Sequence, residues 1–80
     1  MEELQPIIDA YEGRLYYTEF PVFPGGSMDI VEVIIPGPST DKSWAFVSAC
    51  FGLGWKHNKV MPHGEAGFMV RLLRRSKGSG

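Results

Sequence analysis

The sequence predicts a small α+β fold: an antiparallel or mixed sheet of three to four strands with one central helix packed on one face. Three observations carry this. Residues 39–55, STDKSWAFVSACFGLGW, open on cap residues and close on glycines, as a buried helix does. Before them, two β-branched and aromatic segments flank Pro24-Gly25-Gly26-Ser27, a turn signal that makes a hairpin. After them, residues 68–75 alternate on a period of two. The predicted order is ββαββ, with an optional short helix in front.

Residues 2–11 read as that helix, with Leu4, Ile7, Ile8 and Tyr11 on one side and Glu2, Glu3 and Asp9 on the other. Pro6 confines the start to the first turn, and Gly13 ends it. Residues 14–23 form the first strand, with Tyr16, Thr18, Phe20 and Val22 on one face and Leu15, Tyr17, Glu19 and Phe23 on the other. Pro21 removes a ladder donor, so this strand lies at an edge or breaks there. Residues 28–35 form the second strand; Ile30, Val31, Val33, Ile34 and Ile35 make it apolar on both faces, as a central strand is.

Pro36-Gly37-Pro38 then delivers the chain to the helix. Ser39 and Thr40 can accept hydrogen bonds from first-turn N–H groups, and Asp41 suits the positive end of the dipole. Trp44, Val47, Phe51 and Trp55 form an apolar stripe, widened by Phe46, Cys50 and Leu53, which leaves Lys42, Ser43 and Ser48 as the wet side. Gly52 and Gly54 are the stop signal. Residues 56–62 read as a strand or loop and residues 63–67 as a turn. In the last strand Phe68, Val70 and Leu72 share one face, and Met69, Arg71, Leu73 and Arg75 share the other.

Eighty residues make one domain, placed at residues 1–75, with residues 76–80 reading as a flexible tail. A composition 44% hydrophobic and 21% charged, with a net charge of −1, is that of an ordinary globular protein. No apolar run approaches the length of a spanning helix, the N-terminus is acidic where a signal peptide is basic, and Cys50 has no second cysteine to pair with, so a cytoplasmic protein with no membrane partner is expected. The charge is unevenly spread: residues 1–38 sum to −6 and residues 39–80 to +5. Acidic and basic strands lying side by side account for such a split by neutralising each other.

Residues able to carry chemistry are few. Cys50 with His57 or His63 is the Cys/His combination open to nucleophilic catalysis, but Phe46, Phe51 and Leu53 surround the thiol with apolar groups that keep it unreactive. Neither histidine has ligand-like spacing to further cysteines or histidines, and Gly52-Leu53-Gly54 lies at the wrong end of a helix for phosphate. No catalytic residue, metal or cofactor is therefore expected.

What the chain does have is more amphipathic aromatic residues than one short helix can cover. The expected function is a small non-enzymatic protein-binding module, an adaptor or a compact phage-type inhibitor that docks on a larger complex through Tyr16, Tyr17, Glu19, Phe23 and Glu32. An acidic surface on the first two strands would imitate nucleic acid toward a basic partner, and strand addition at an edge would serve a homodimer. The alternative is nucleic-acid binding by Trp55, Lys56, Lys59, Arg71, Arg74 and Arg75, with a base stacked on the tryptophan. A small enzyme using Cys50 or His57 and His63 is the remaining alternative.

Overall fold

Residues 3–76 are described by a computed structural model, which contains two helices and a five-stranded sheet. The chain runs α1 (Gln5–Ala10), β1 (Arg14–Glu19), β2 (Val22–Phe23), β3 (Gly26–Ile35), α2 (Asp41–Phe51), β4 (Lys56–Pro62), a 3-10 turn (Gly64–Ala66) and β5 (Phe68–Ser76). The strands lie in the order β1-β3-β5-β4, all neighbours antiparallel, and β2 continues the β1 edge along the first residues of β3. The fold class matches the α+β expectation, but the strand count and order do not. Pro21 divides the expected first strand in two, and Met28 N–H donates to the Pro21 carbonyl across the break (3.0 Å).

β3 is central, as its two apolar faces require. Its Val31, Val33 and Ile35 join Val70 and Leu72 of β5, Leu4 at the N-cap of α1, Ile8 within it, and Phe46, Val47 and Cys50 of α2 in one buried cluster closed by Trp55. Both helices thus cover the same side of the sheet. No helix among the described residues is long and apolar enough to cross a membrane. Ser76, read as tail, pairs with Ser27 at the end of β5, while Glu2 and residues 77–80 lie outside the described residues.

The face of α2 differs from the expected stripe. Ser43, Phe46, Val47 and Cys50 are buried, a set at i, i+3, i+4 and i+7, whereas Trp44 and Phe51 are 44% and 50% exposed. The helix is therefore turned by one residue, about 100°, from the reading that put Trp44 and Phe51 in the core and Ser43 in water. Trp55 is fully buried beyond the helix and fills that end of the core.

The helix caps also sharpen. Ser39 Oγ accepts from Asp41 N–H (3.4 Å), while Thr40 makes no side-chain cap bond. At the other end Trp55 N–H donates to the Cys50 carbonyl (3.2 Å) and Gly54 N–H to the Phe51 carbonyl (3.0 Å), with Gly54 at φ 89°. That paired bond pattern needs a left-handed residue at Gly54, and Gly52 keeps an ordinary helical φ of −63°. At the end of α1 the left-handed residue is Glu12 (φ 58°) in place of the expected Gly13, and Lys42 Nζ holds the Glu12 carboxylate at 2.6 Å.

Arg74 ties the helix side of the sheet together. The register sets it opposite Asp29, whose Oδ2 accepts from its Nη2 at 3.1 Å, and its Nη1 donates to Glu3. Its guanidinium lies 4.3 Å over the Trp55 ring. The Arg74 hydrogen bond is the main cause that lowers the Glu3 pKa from 4.5 to about 2. A depressed carboxylate contributes stability above its unfolded pKa and loses it as the pH falls toward its folded value. The melting temperature of wild type is expected to exceed that of Glu3→Gln at pH 7, and the gap to close between pH 4.5 and about 2. A gap that persists undiminished at pH 2 would detach Glu3 from this network.

Candidate docking surface

Every second residue of the sheet points away from the helices. Because Val31, Val33 and Ile35 face the core, Met28, Ile30, Glu32 and Ile34 face the open side. Strand register carries that assignment outward in rows. Glu19, Ile30, Leu73 and Lys56 lie side by side; Tyr17, Glu32, Arg71 and Lys59 form the next row; Arg14, Ile34, Met69 and Met61 form the third. Arg75 sits beside Met28, and Phe23 beside Gly26. No described helix packs on this face. Its floor is aliphatic, with Ile30, Ile34 and Met69 buried beneath longer neighbours.

β1 does not follow a plain alternation. Its register shifts between Leu15 and Tyr17, a β-bulge at Tyr16. Leu15 and Thr18 therefore both face the helix side, opposite Val33 and Val31, while Arg14, Tyr17 and Glu19 face the open side. The expected grouping of Leu15 with Tyr17 and Glu19 fails for this reason. Tyr16, released by the bulge, meets the His63 ring edge to face at 4.9 Å and is 54% exposed. Phe20, Val22 and Phe23 continue an exposed apolar ridge along the same edge, Val22 at 82%.

The five residues chosen from the sequence for partner contact thus gather: Tyr17, Glu19, Phe23 and Glu32 share the open face, with Tyr16 at the bulge beside them. The six chosen for nucleic acid are divided. Lys56, Lys59, Arg71 and Arg75 share the open face. Trp55 and Arg74 do not reach it: the tryptophan is sealed beneath the arginine on the helix side, where no base can stack.

Charge on the surface follows these pairings. Cross-strand neutralisation explains much of the sequence split, since β3 and β5 are joined by Asp29–Arg74 and by Glu32–Arg71 (3.6 Å). The first two strands consequently present fewer free carboxylates than the sequence suggests. Arg14, Lys56, Lys59 and Arg75 make no ion pair among the described residues, so the open face is basic toward β4 and β5. Glu19, two residues along from Tyr17, raises the Tyr17 hydroxyl pKa, so the phenol stays neutral as a hydrogen-bond donor.

On the helix side, Trp44 and Phe51 hold His57 between them, with ring centroids 5.1 and 6.2 Å away and edge-to-face angles. Beside them Phe51, Gly54, Trp55, Lys56 and His57 line a depression of about 440 Å³. Reading Trp44 and Phe51 as core hid this patch. The competing spacing of Ser43, Phe46, Val47 and Cys50 was the signal available for it.

Groups with catalytic potential lie apart. Cys50 is fully buried, and burial pushes its thiol up to about 11. No hydrogen bond joins it to His57 or His63 among the described residues, nor do three or more His, Cys, Asp or Glu side chains converge there. No protein-family model, characterised protein or solved structure matches the chain, so the role of its open face rests on the chemistry of that face.

Proposed function

We propose that this chain is a non-enzymatic docking module, an adaptor or compact inhibitor, whose uncovered sheet face receives a protein surface of mixed acidic and apolar character. One observation carries the reading: among the described residues the helices cover one side of the sheet only, and the open side runs from Tyr16, Tyr17 and Phe23 at the β1–β2 edge to Lys56, Lys59 and Arg75, which make no ion pair there, on β4 and β5. Aromatic side chains give contact area at low entropic loss, and unpaired cations select an acidic partner and speed its approach. Capture of partners from source-cell lysate by wild type and by Lys56→Glu/Lys59→Glu/Arg75→Glu tests it. The variant, folded by circular dichroism, is expected to recover at least about tenfold less of the partner. Equal recovery removes this surface.

The same cations favour a second reading, nucleic-acid binding across the open face with Tyr16 and Tyr17 as stacking groups. A mobility shift at two salt concentrations separates the two. Binding that weakens steeply with salt supports nucleic acid, and no shift at low salt ends that reading.

A further inference from the structure

The sheet has two edges, and they are built differently. β4 carries Lys56 and Lys59 and no carboxylate, so two copies laid along it would set lysines against lysines, a common protection against strand pairing. β1 carries Arg14 at one end and Glu19 at the other, with Leu15, Tyr16, Tyr17 and Thr18, none of them charged, between. We propose that β1 is a self-complementary edge on which a second copy of this chain docks, antiparallel, to make one continuous sheet across a two-fold axis between Tyr16 and Tyr17.

Three features of β1 converge on this register. Antiparallel pairing about that axis sets Arg14 against the partner's Glu19, Leu15 against Thr18 and Tyr16 against Tyr17, each twice by symmetry. The charges are complementary at both ends. Faces also match, but only because of the bulge. In a regular strand Leu15 and Thr18 would point to opposite sides; the register shift puts both on the helix side and puts Arg14 and Glu19 together on the open side. Backbone direction matches as well. The Met28 N–H to Pro21 carbonyl bond fixes the ladder phase, so Tyr17 and Glu19 turn their main-chain groups toward β3 and Thr18 turns its own outward. Beyond the bulge Arg14, opposite Ile34, faces β3, and Leu15 is the outward residue. Leu15 and Thr18 are the pair that this register brings into hydrogen bonding.

The covering requirement points the same way. Leu15, Tyr16, Tyr17, Phe20, Val22 and Phe23 are each more than a third exposed, and all lie on or just beyond this edge. In the dimer the two open faces become one, with four tyrosines at its centre. The inference rests on the docking reading by naming one occupant of its edge, but its test is independent: loss of partner capture by the lysine and arginine variant leaves β1 intact, and a monomeric protein leaves the open face available.

Sedimentation equilibrium from micromolar to near-millimolar concentration decides it. Wild type is expected to move from 8.9 kDa toward twice that mass as concentration rises. Arg14→Glu and Glu19→Arg each set like charges together at both ends and are expected to weaken association about tenfold or more. An equimolar mixture of the two variants sets opposite charges at both ends, as does the double variant Arg14→Glu/Glu19→Arg, and both are expected to regain the wild-type mass. A wild type that stays at 8.9 kDa, or single variants that associate as wild type does, overturns the proposal. Mixtures that fail to recover overturn the register.

Discussion

Gly67→Ala is expected to cost more than about 3 kcal/mol, read as a fall in the urea midpoint with no change in slope. Gly67 is buried just before β5, at φ 127°, a region that L side chains rarely adopt. A Cβ there would stand 2.3 Å from the Ile35 carbonyl oxygen and 2.7 Å from Pro36 Cα. Both obstacles are backbone, and Ile35 is fixed by its pairing with Phe68, so nothing can swing aside. Gly67 also accepts from His63 N–H (2.9 Å), which couples the strain to the closing of the β4–β5 turn. For a chain of this size, with about 4–12 kcal/mol in all, the loss leaves little folded protein at 37 °C. Gly25→Ala, where an added Cβ meets nothing within 4 Å, is the control. A Gly67→Ala protein within about 1 kcal/mol of wild type would mean that this backbone is not as described.

Trp55→Ala is expected to cost about 3–5 kcal/mol, and Trp55→Phe appreciably less. Trp55 is among the largest of the fully buried side chains, and it carries three loads at once. It fills the end of the core beyond α2, its N–H closes the helix terminus on Cys50, and its ring supports the Arg74 guanidinium that gathers Glu3 and Asp29. Alanine keeps the backbone bond and loses the other two. Chemical denaturation of the three proteins measures the series. Equal stability of wild type and Trp55→Ala would contradict burial of the ring, and acrylamide quenching of a Trp44→Phe variant checks that burial separately.

The residues themselves made much of the sheet legible. The alternation of FMVRLLRR gives β5 its two faces correctly, and the two-sided apolar run of β3 places it centrally. Pro21 marks its own break. Three features were not legible, each for a physical reason. A bulge is fixed by which neighbour a strand pairs with, and RLYYTE has a tyrosine in either phase, so composition cannot locate the shift. The phase of α2 is hidden because the large aromatic Trp44 is a stronger core candidate than Ser43, although the small residue is the one that the packed face holds. A period of two already separates Arg74 from Arg71 and Arg75, but the two carboxylates and the tryptophan it meets are set by cross-strand and helix-side neighbours that the local sequence does not name. Strand parity puts Tyr17, Glu19, Phe23 and Glu32 on one face, and the bulge alone decides where Tyr16 lies relative to them.

The strand order has a consequence for how the chain reaches its fold. β3 forms its outer ladder with β1 and β2 across short turns, but its inner ladder runs from Ile35–Phe68 to Ser27–Ser76 and closes only across α2 and β4. Short loops lose less entropy on closing, so the first hairpin assembles early and the central ladder sets the pace. During that interval β3, apolar on both faces, has one bare edge. The most buried strand of the finished protein is thus the one at greatest hazard of joining another chain while folding proceeds.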